Sequence, residues 1–280
     1  MVRINRDKLV QYMGAYKRYL DGQQRGEYSR PLSNVEEDYK RDIAAKVEDI
    51  LNSESWTETE IGEGKIGGRA IKAVQRSLNL VGRFQITIFA DKVRENYSIS
   101  ERILYDLYHD RKEQECFEQI CKLFGRKYDL ISYLYFVLDS NKYLPLRPSI
   151  FDAIFNKLGI GLETSGRCSW ENYQEFLGTI EAVRDEMKEY YKVDDVDLLD
   201  AHSFLWTINL GVLETKEQYA DVVETPAKEK NAEVGAAVFH KDYGEGQISK
   251  ITEEKIYVRF ACGMRIFPYS EAFEKGYLLF

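Results

Sequence analysis

The sequence contains no apolar run approaching the roughly 18 residues that a membrane-spanning helix needs, so no membrane partner is expected. Its opening stretch, MVRINRDKLVQYMGAYKRYL, scatters charges throughout and does not read as a signal peptide. Cysteine is scarce. Cys116, Cys121, Cys168 and Cys262 form no CxxC pair, and only three histidines accompany them. That spacing argues against structural zinc, and the expectation is reduced thiols in a cytoplasmic protein. Positive charge is also in deficit: 39 Lys/Arg against 47 Asp/Glu leave a net charge of −8. A protein that coats a duplex by neutralising phosphates usually carries the opposite sign. A local basic patch survives that argument.

What is present points to a globular chain. Its 280 residues are 44% hydrophobic, enough for one sizeable core and a second small one. The acidic excess is uneven. Residues 181–230 hold 13 Asp/Glu against 6 Lys/Arg, a balance of −7, whereas residues 1–46 hold 10 Lys/Arg against 7 Asp/Glu, a balance of +3.

Helical spacing dominates up to about residue 212. Leu9, Val10, Met13, Tyr16 and Leu20 mark one apolar face over 5–21. Ser33 with Glu36, and Ser98 with Glu101, have the spacing of capping boxes ahead of apolar periodic runs. Further helices are predicted at 112–124, 127–139, 149–158, 169–191 and 196–209, with Pro148 in a first turn and Ser169 as a cap. RFQITIFADKV (83–93) is ambiguous, because Ile86, Thr87 and Ile88 favour a strand while their surroundings favour a helix.

Residues 213–234 are charged and poor in large apolar side chains, and read as a linker or lid. Then the period changes. GAAVFH, GQISKI, KIYVRFA and MRIFPYS are four short strand-like runs, separated by Gly244 and Gly246, a TEEK turn and Gly263. A short helix, SEAFEKGYLLF, follows. The expected architecture is a helical domain (1–212), the connector (213–234), and a small SH3-like or Tudor-like β-barrel (235–280), closed so that no sheet edge remains.

A resemblance is carried by His240, Tyr243, Gly244, Gly246, Val258, Phe260, Phe273, Gly276, Tyr277 and Leu278. Their pattern resembles the bacterial Tudor-like module that ends some superfamily-one repair helicases and transcription-coupling factors. The resemblance covers about a sixth of the chain, and implies a barrel that binds RNA polymerase or DNA. In the helical part, KYLPLRPSIFDAIFNKLGI, RCSWENYQEFLGTIEAVRDEM and DLLDAHSFLW resemble stretches of uncharacterised bacterial proteins associated with restriction and phage-defence genes. This implies a cellular setting and transfers no catalytic residue.

Several motifs admit two readings. IGEGKIGGRAI places Gly62, Gly64 and Gly67 at GxGxxG spacing, but the polar SESWTETE precedes it where a dinucleotide fold needs a buried strand. It lacks a P-loop ending. It reads as a turn between helices, anchored by Ile61 and Ile66. The alternative is a phosphate-backbone contact made by exposed amides with Lys65, Arg69 and Lys72. In DLLDAHSFLW, Asp200, His202 and Ser203 supply the residue types of a hydrolase triad at spacings that point apart on a helix. His202 reads as a structural histidine and Asp197 as a cap. Asp194, Asp195 and Asp197 lack the continuation of a calcium loop. No nuclease signature, cofactor site or metal site is read.

Tyrosine and phenylalanine are abundant, at 20 and 14. YDLISYLYFVL reads as a core helix. Near the C-terminus, Phe239, Tyr243, Tyr257, Phe260, Phe267 and Tyr269 are too many for so small a core. Alternation sends Ile256, Val258 and Phe260 inward and Tyr257 and Arg259 outward. An outward Tyr257, Arg259 and Arg265, with Tyr243 or Tyr269 nearby, would form an aromatic-basic surface that stacks on bases or clasps a partner. Its alternative role is to shield an edge against the helical domain. The expected function is therefore a non-enzymatic binding subunit of a bacterial nucleic-acid-targeting, antiphage system. Its barrel would meet DNA or a DNA-bound protein such as a polymerase, and its helical body would dock a catalytic subunit. The competing expectations are a metal-dependent nuclease or nucleotide-processing effector on an unrecognised helical scaffold, and a scaffold using the acidic face at 181–230.

Overall fold

The structure, a computed structural model, describes residues 4–23, 30–34, 38–213, 233–240, 243–252, 255–260, 263–272 and 277–278. Two compact units divide the chain, residues 1–215 and 216–280. Most of the predicted connector, with Cys262, Phe273 and Gly276, lies outside the described residues.

The described part of the first unit is helical. Its elements are α1 (Arg6–Asp21), α2 (Tyr39–Leu51), α3 (Lys65–Gln75), α4 (Arg83–Glu95), α5 (Tyr97–Tyr108), α6 (Glu113–Phe124), α7 (Tyr128–Phe136), α8 (Pro148–Leu158), α9 (Trp170–Tyr191) and α10 (Leu198–Asn209). Among the described residues, no helix is long and apolar enough to cross a membrane. The ambiguous 83–93 segment is helix α4. Phe89, Ala90 and Val93 are buried with Ile86 packed beside them, a spacing that only a helix can turn to one side. Burial on that face overrides the strand preference of Ile-Thr-Ile.

Caps set the helix starts. Pro148 stands in the first turn of α8, and the Ser169 hydroxyl accepts the Asn172 N–H at 3.1 Å. The expected Ser98–Glu101 capping box does not form, and the Ser33–Glu36 one falls partly outside the described residues. Helix α2 begins at Tyr39 after Asp38, the Ser33 hydroxyl donates to the Arg30 carbonyl, and Glu36 lies outside the described residues. Helix α5 is capped by Asn96, whose side chain accepts from the Ile99 N–H at 3.1 Å. Glu101 is thereby freed for a different bond.

The tyrosine excess is largely structural. Tyr133, Tyr135, Tyr143 and Tyr173 are fully buried, and Tyr135 packs edge-on to Tyr143 and Tyr173. Buried hydroxyls donate to backbone carbonyls on other segments: Tyr108 to Leu134 at 2.9 Å, Tyr133 to Ala73 and Tyr173 to Leu144 at 2.8 Å. Each ring fills core volume while its hydroxyl satisfies a buried acceptor.

The second unit holds one antiparallel sheet in chain order: β1 (Ala237–His240), β2 (Gly244–Ile251), β3 (Lys255–Phe260) and β4 (Gly263–Pro268), followed by the single turn α11 (Tyr269–Ala272). Val238, Ile248, Ile256, Val258, Phe260 and Phe267 form its core with Ala272 and Leu278. Gly246 is required by packing, since a Cβ there would lie 2.5 Å from the Phe260 ring. Among the described residues no ladder joins β4 to β1, so the sheet is an open meander where closure was expected. Strand β1 is only four residues long, and Ala272 and Leu278 cover the core instead.

Candidate interaction surfaces

Three constellations carry the polar chemistry. The first is the glycine turn ahead of α3. Gly62 and Gly64 have φ of 94° and 80°, and their left-handed backbone turns successive N–H groups toward one point. The acceptor at that point is Glu101 of α5, fully buried. Its carboxylate accepts from Gly62 at 2.7 Å, Gly64 at 3.1 Å and Gly67 at 2.7 Å. The amides considered for a phosphate contact are thus occupied by the protein's own carboxylate, which corrects that reading of the turn. Ile66 is buried and Ile61 packs beside the core, as an anchored turn requires. Lys65 pairs with Glu63 at 2.7 Å and Arg69 donates to the Ser55 hydroxyl at 3.3 Å, while Lys72 is exposed.

The second constellation surrounds the start of α10. Asp197 and Asp200 form a reciprocal capping box. Arg41 of α2 grips both carboxylates, at 2.6 Å and 2.7 Å, and Arg30 reaches Asp200 at 3.2 Å and Asp195 at 2.8 Å. Burial opposes the Asp197 charge, but hydrogen bonds from Arg41 and the Asp200 amide hold its pKa below the usual value. Burial, and then the neighbouring Asp197 charge, raise that of Asp200. One turn on, His202 is buried. Its Nε2–H donates to the Pro145 carbonyl at 2.8 Å, which leaves Nδ1 to accept from the Lys40 ammonium at 3.3 Å. Both ring nitrogens are thereby occupied, and the Asp200 carboxylate is held by Arg30 and Arg41 instead.

Burial, then the Lys40 charge, push the His202 pKa well below its ordinary value. The folded state therefore holds fewer protons than the unfolded chain at mildly acid pH. Stability is retained above the unfolded histidine pKa and lost as pH falls below it, by about 1.4 kcal/mol per pH unit. Urea unfolding from about pH 7 to pH 5 should show that slope, and His202→Gln should remove most of it. Equal slopes in the two proteins would refute the neutral tautomer.

The third constellation is the C-terminal sheet. Residues directly opposite in antiparallel strands share a face. Arg259 faces Gln247 and Met264, and Tyr257 faces Lys250 and Ile266, so these six lie on the face turned away from the core. Phe239, paired with Glu245, joins them. Phe239 is 46% exposed, Met264 44% and Ile266 55%, and the Lys250 ammonium lies 5.5 Å from the Tyr257 ring centre. Inward Ile256, Val258 and Phe260 show the expected alternation.

Arg265 departs from the expected surface. It stands opposite Val258 and therefore on the core side, where its guanidinium lies 4.8 Å from the Tyr243 ring centre. Tyr243 in turn stacks on the buried His240 at 4.4 Å. Tyr257 and Arg259 thus share one face, Tyr243 and Arg265 belong to the other, and Tyr269 is exposed at the start of α11. Sequence reasoning missed Lys250, Met264 and Ile266. The bulge between Ile248 and Lys250 shifts the β2 register and puts Lys250 beside Tyr257. The Met-x-Ile alternation of β4, read against Phe267 as the inward residue, carried the signal for the other two.

These features define a class by architecture: a mainly helical unit followed by a small antiparallel sheet. No family model matches the chain, and neither the curated proteins nor the solved structures include a match.

Proposed function

We propose that this chain is a non-catalytic binding subunit of a bacterial system acting on nucleic acid, with antiphage defence as the setting that its helical part implies by resemblance. In this reading the sheet, closed over by α11 and Leu278, is an SH3-like module of the Tudor-like kind. Its outer face docks a DNA-bound protein. The observation that carries the reading is that face: Phe239, Met264 and Ile266 exposed together around a half-buried Tyr257, edged by Lys250 and Arg259. Aliphatic and thioether side chains among aromatics and arginine favour a protein partner over bare nucleic acid. The helical body, whose buried carboxylates are held by arginine and glycine amides, serves as the scaffold.

The test is affinity capture from the source cell, with and without nuclease, using wild type, Met264→Glu/Ile266→Glu and Arg265→Ala. The double glutamate variant should lose at least about tenfold of a captured nucleic-acid enzyme, as removal of exposed hot-spot contacts predicts. Arg265→Ala, on the other face, should retain it, and nuclease should not release it. Equal capture by the double variant, or capture abolished by nuclease, would end the docking role.

A further inference from the structure

Residues 64–90 contain no Asp or Glu, although the chain as a whole carries a net charge of −8, and they contain Lys65, Arg69, Lys72, Arg76 and Arg83. The first four recur at spacings of four, three and four, so α3 and its C-cap present them as a stripe along one side. Ile66, Ala70, Ile71, Ala73 and Val74 are buried on the other side.

The stripe is not uniform. Lys65 is paired with Glu63, and Arg69 contacts Ser55. Lys72, Arg76 and Arg83 are exposed and have no ion-pair partner among the described residues. Asp129 is an acid nearby, 3.9 Å from where a Cβ on Gly82 would stand.

Three further features lie at the α3–α4 corner, and a fourth lies in the first turn of α3. Phe84, at 77%, and Leu78, at 66%, are the most exposed large apolar side chains among the described residues. Leu78 takes a φ of 51°, a left-handed conformation that a leucine adopts only under constraint. The adjoining Ser77 Oγ and Gln85 Oε1 are the two buried side-chain polar atoms, among those described, with no hydrogen-bond partner. Gly68, half-buried in the first turn of α3, has open space where its Cβ would stand. A glycine within a helix weakens it, and here no internal contact requires one, whereas Gly67 would meet Val93 at 2.6 Å.

We propose that this corner binds a single-stranded nucleic acid, with Lys72, Arg76 and Arg83 on successive phosphates and Phe84 stacked on a base. Unpaired cations with no acidic residue between them in the chain suit a run of phosphates. An exposed aromatic ring at the end of the stripe suits an unpaired base better than a duplex. An acidic protein segment is the competing occupant. The inference is independent of the sheet's docking role, because its residues and its probe are different.

The test is fluorescence anisotropy of the full chain with labelled oligo(dT) and oligo(U) of about 16 nucleotides, a duplex of the same length, and poly-glutamate as competitor. Three neutralised phosphates give a log–log salt slope of about −2, so affinity for the single strand should fall about twentyfold between about 50 and 200 mM salt. Lys72→Gln/Arg76→Gln/Arg83→Gln should abolish that dependence while leaving the thermal midpoint unchanged. Phe84→Ala should weaken binding about tenfold with the slope intact. Lys65→Gln should stay within about twofold, its charge being already paired. Tighter binding of oligo(dT) or of oligo(U) ranks the two kinds of strand, and either upholds the assignment. No binding of single strands, preference for the duplex, a triple variant that binds like wild type, or Phe84-dependent binding of poly-glutamate would overturn it.

Discussion

Glu101→Ala is expected to destabilise the helical unit by about 3–5 kcal/mol, the largest single-residue effect anticipated here. The carboxylate is fully buried and accepts three backbone N–H groups from one turn. Truncation leaves those donors without their acceptor. The turn, held in left-handed geometry at Gly62 and Gly64, also loses the charge it converges on. Glu101→Gln keeps the volume but places an amide donor against backbone donors, and should cost about 2–3 kcal/mol. For a unit of this size the alanine variant should melt roughly 10 °C lower. Calorimetry on both variants checks this. Midpoints within a degree or two of wild type would mean that the glycine turn is held by its apolar anchors, Ile61 and Ile66, alone.

The second large effect is expected at Arg41. Its guanidinium bridges Asp197 and the fully buried Asp200 carboxylate. Arg41→Met keeps most of the packing of the side-chain stem and removes the charge. A buried carboxylate that loses one partner typically costs about 3–5 kcal/mol, and Arg30, still 3.2 Å from Asp200, should hold the loss near about 3 kcal/mol. The pH dependence follows from the two carboxylates. The lowered pKa of Asp197 means stability that is present above the unfolded value and lost as pH falls. The raised pKa of Asp200 means that its charge burdens the fold at neutral pH and is relieved by protonation. The gap between wild type and Arg41→Met should therefore narrow between about pH 7 and pH 4.5. Asp200→Asn in the Arg41→Met background should recover most of the loss. Urea titrations at both pH values, arranged as a double-mutant cycle, decide it. A gap that is constant with pH, or a double variant no more stable than Arg41→Met, would show that the cluster is held together by packing.

Much of the fold was legible because it depends on local period. Apolar spacing marks the helices, and Pro148 and Ser169 punctuate two of them where read. Alternation in KIYVRF identifies the inward side of β3. The surface was less legible. Placing Arg265 on the core side depends on a register across the β3–β4 turn, where a slip of one residue exchanges the faces. The basic stripe of α3 was half seen, through Lys65, Arg69 and Lys72. It was attached to the glycine turn because Glu101, the acceptor that fills that turn, is 34 residues beyond Gly67 in the chain.

Composition and periodicity alone determined that this chain is mostly helix ending in a short β segment, because amphipathic period is a property of neighbours in sequence. Tertiary structure decided which polar groups are spent internally and which are left for a partner. Glu101 closes the glycine turn, Arg41 pairs with Asp200, and His202 is kept neutral by burial and then by Lys40, while Lys72, Arg76, Arg83, Phe84 and much of the outer face of the sheet stay exposed. Hydrogen bonds and ion pairs join residues that meet only after folding, so no reading of local pattern could assign them.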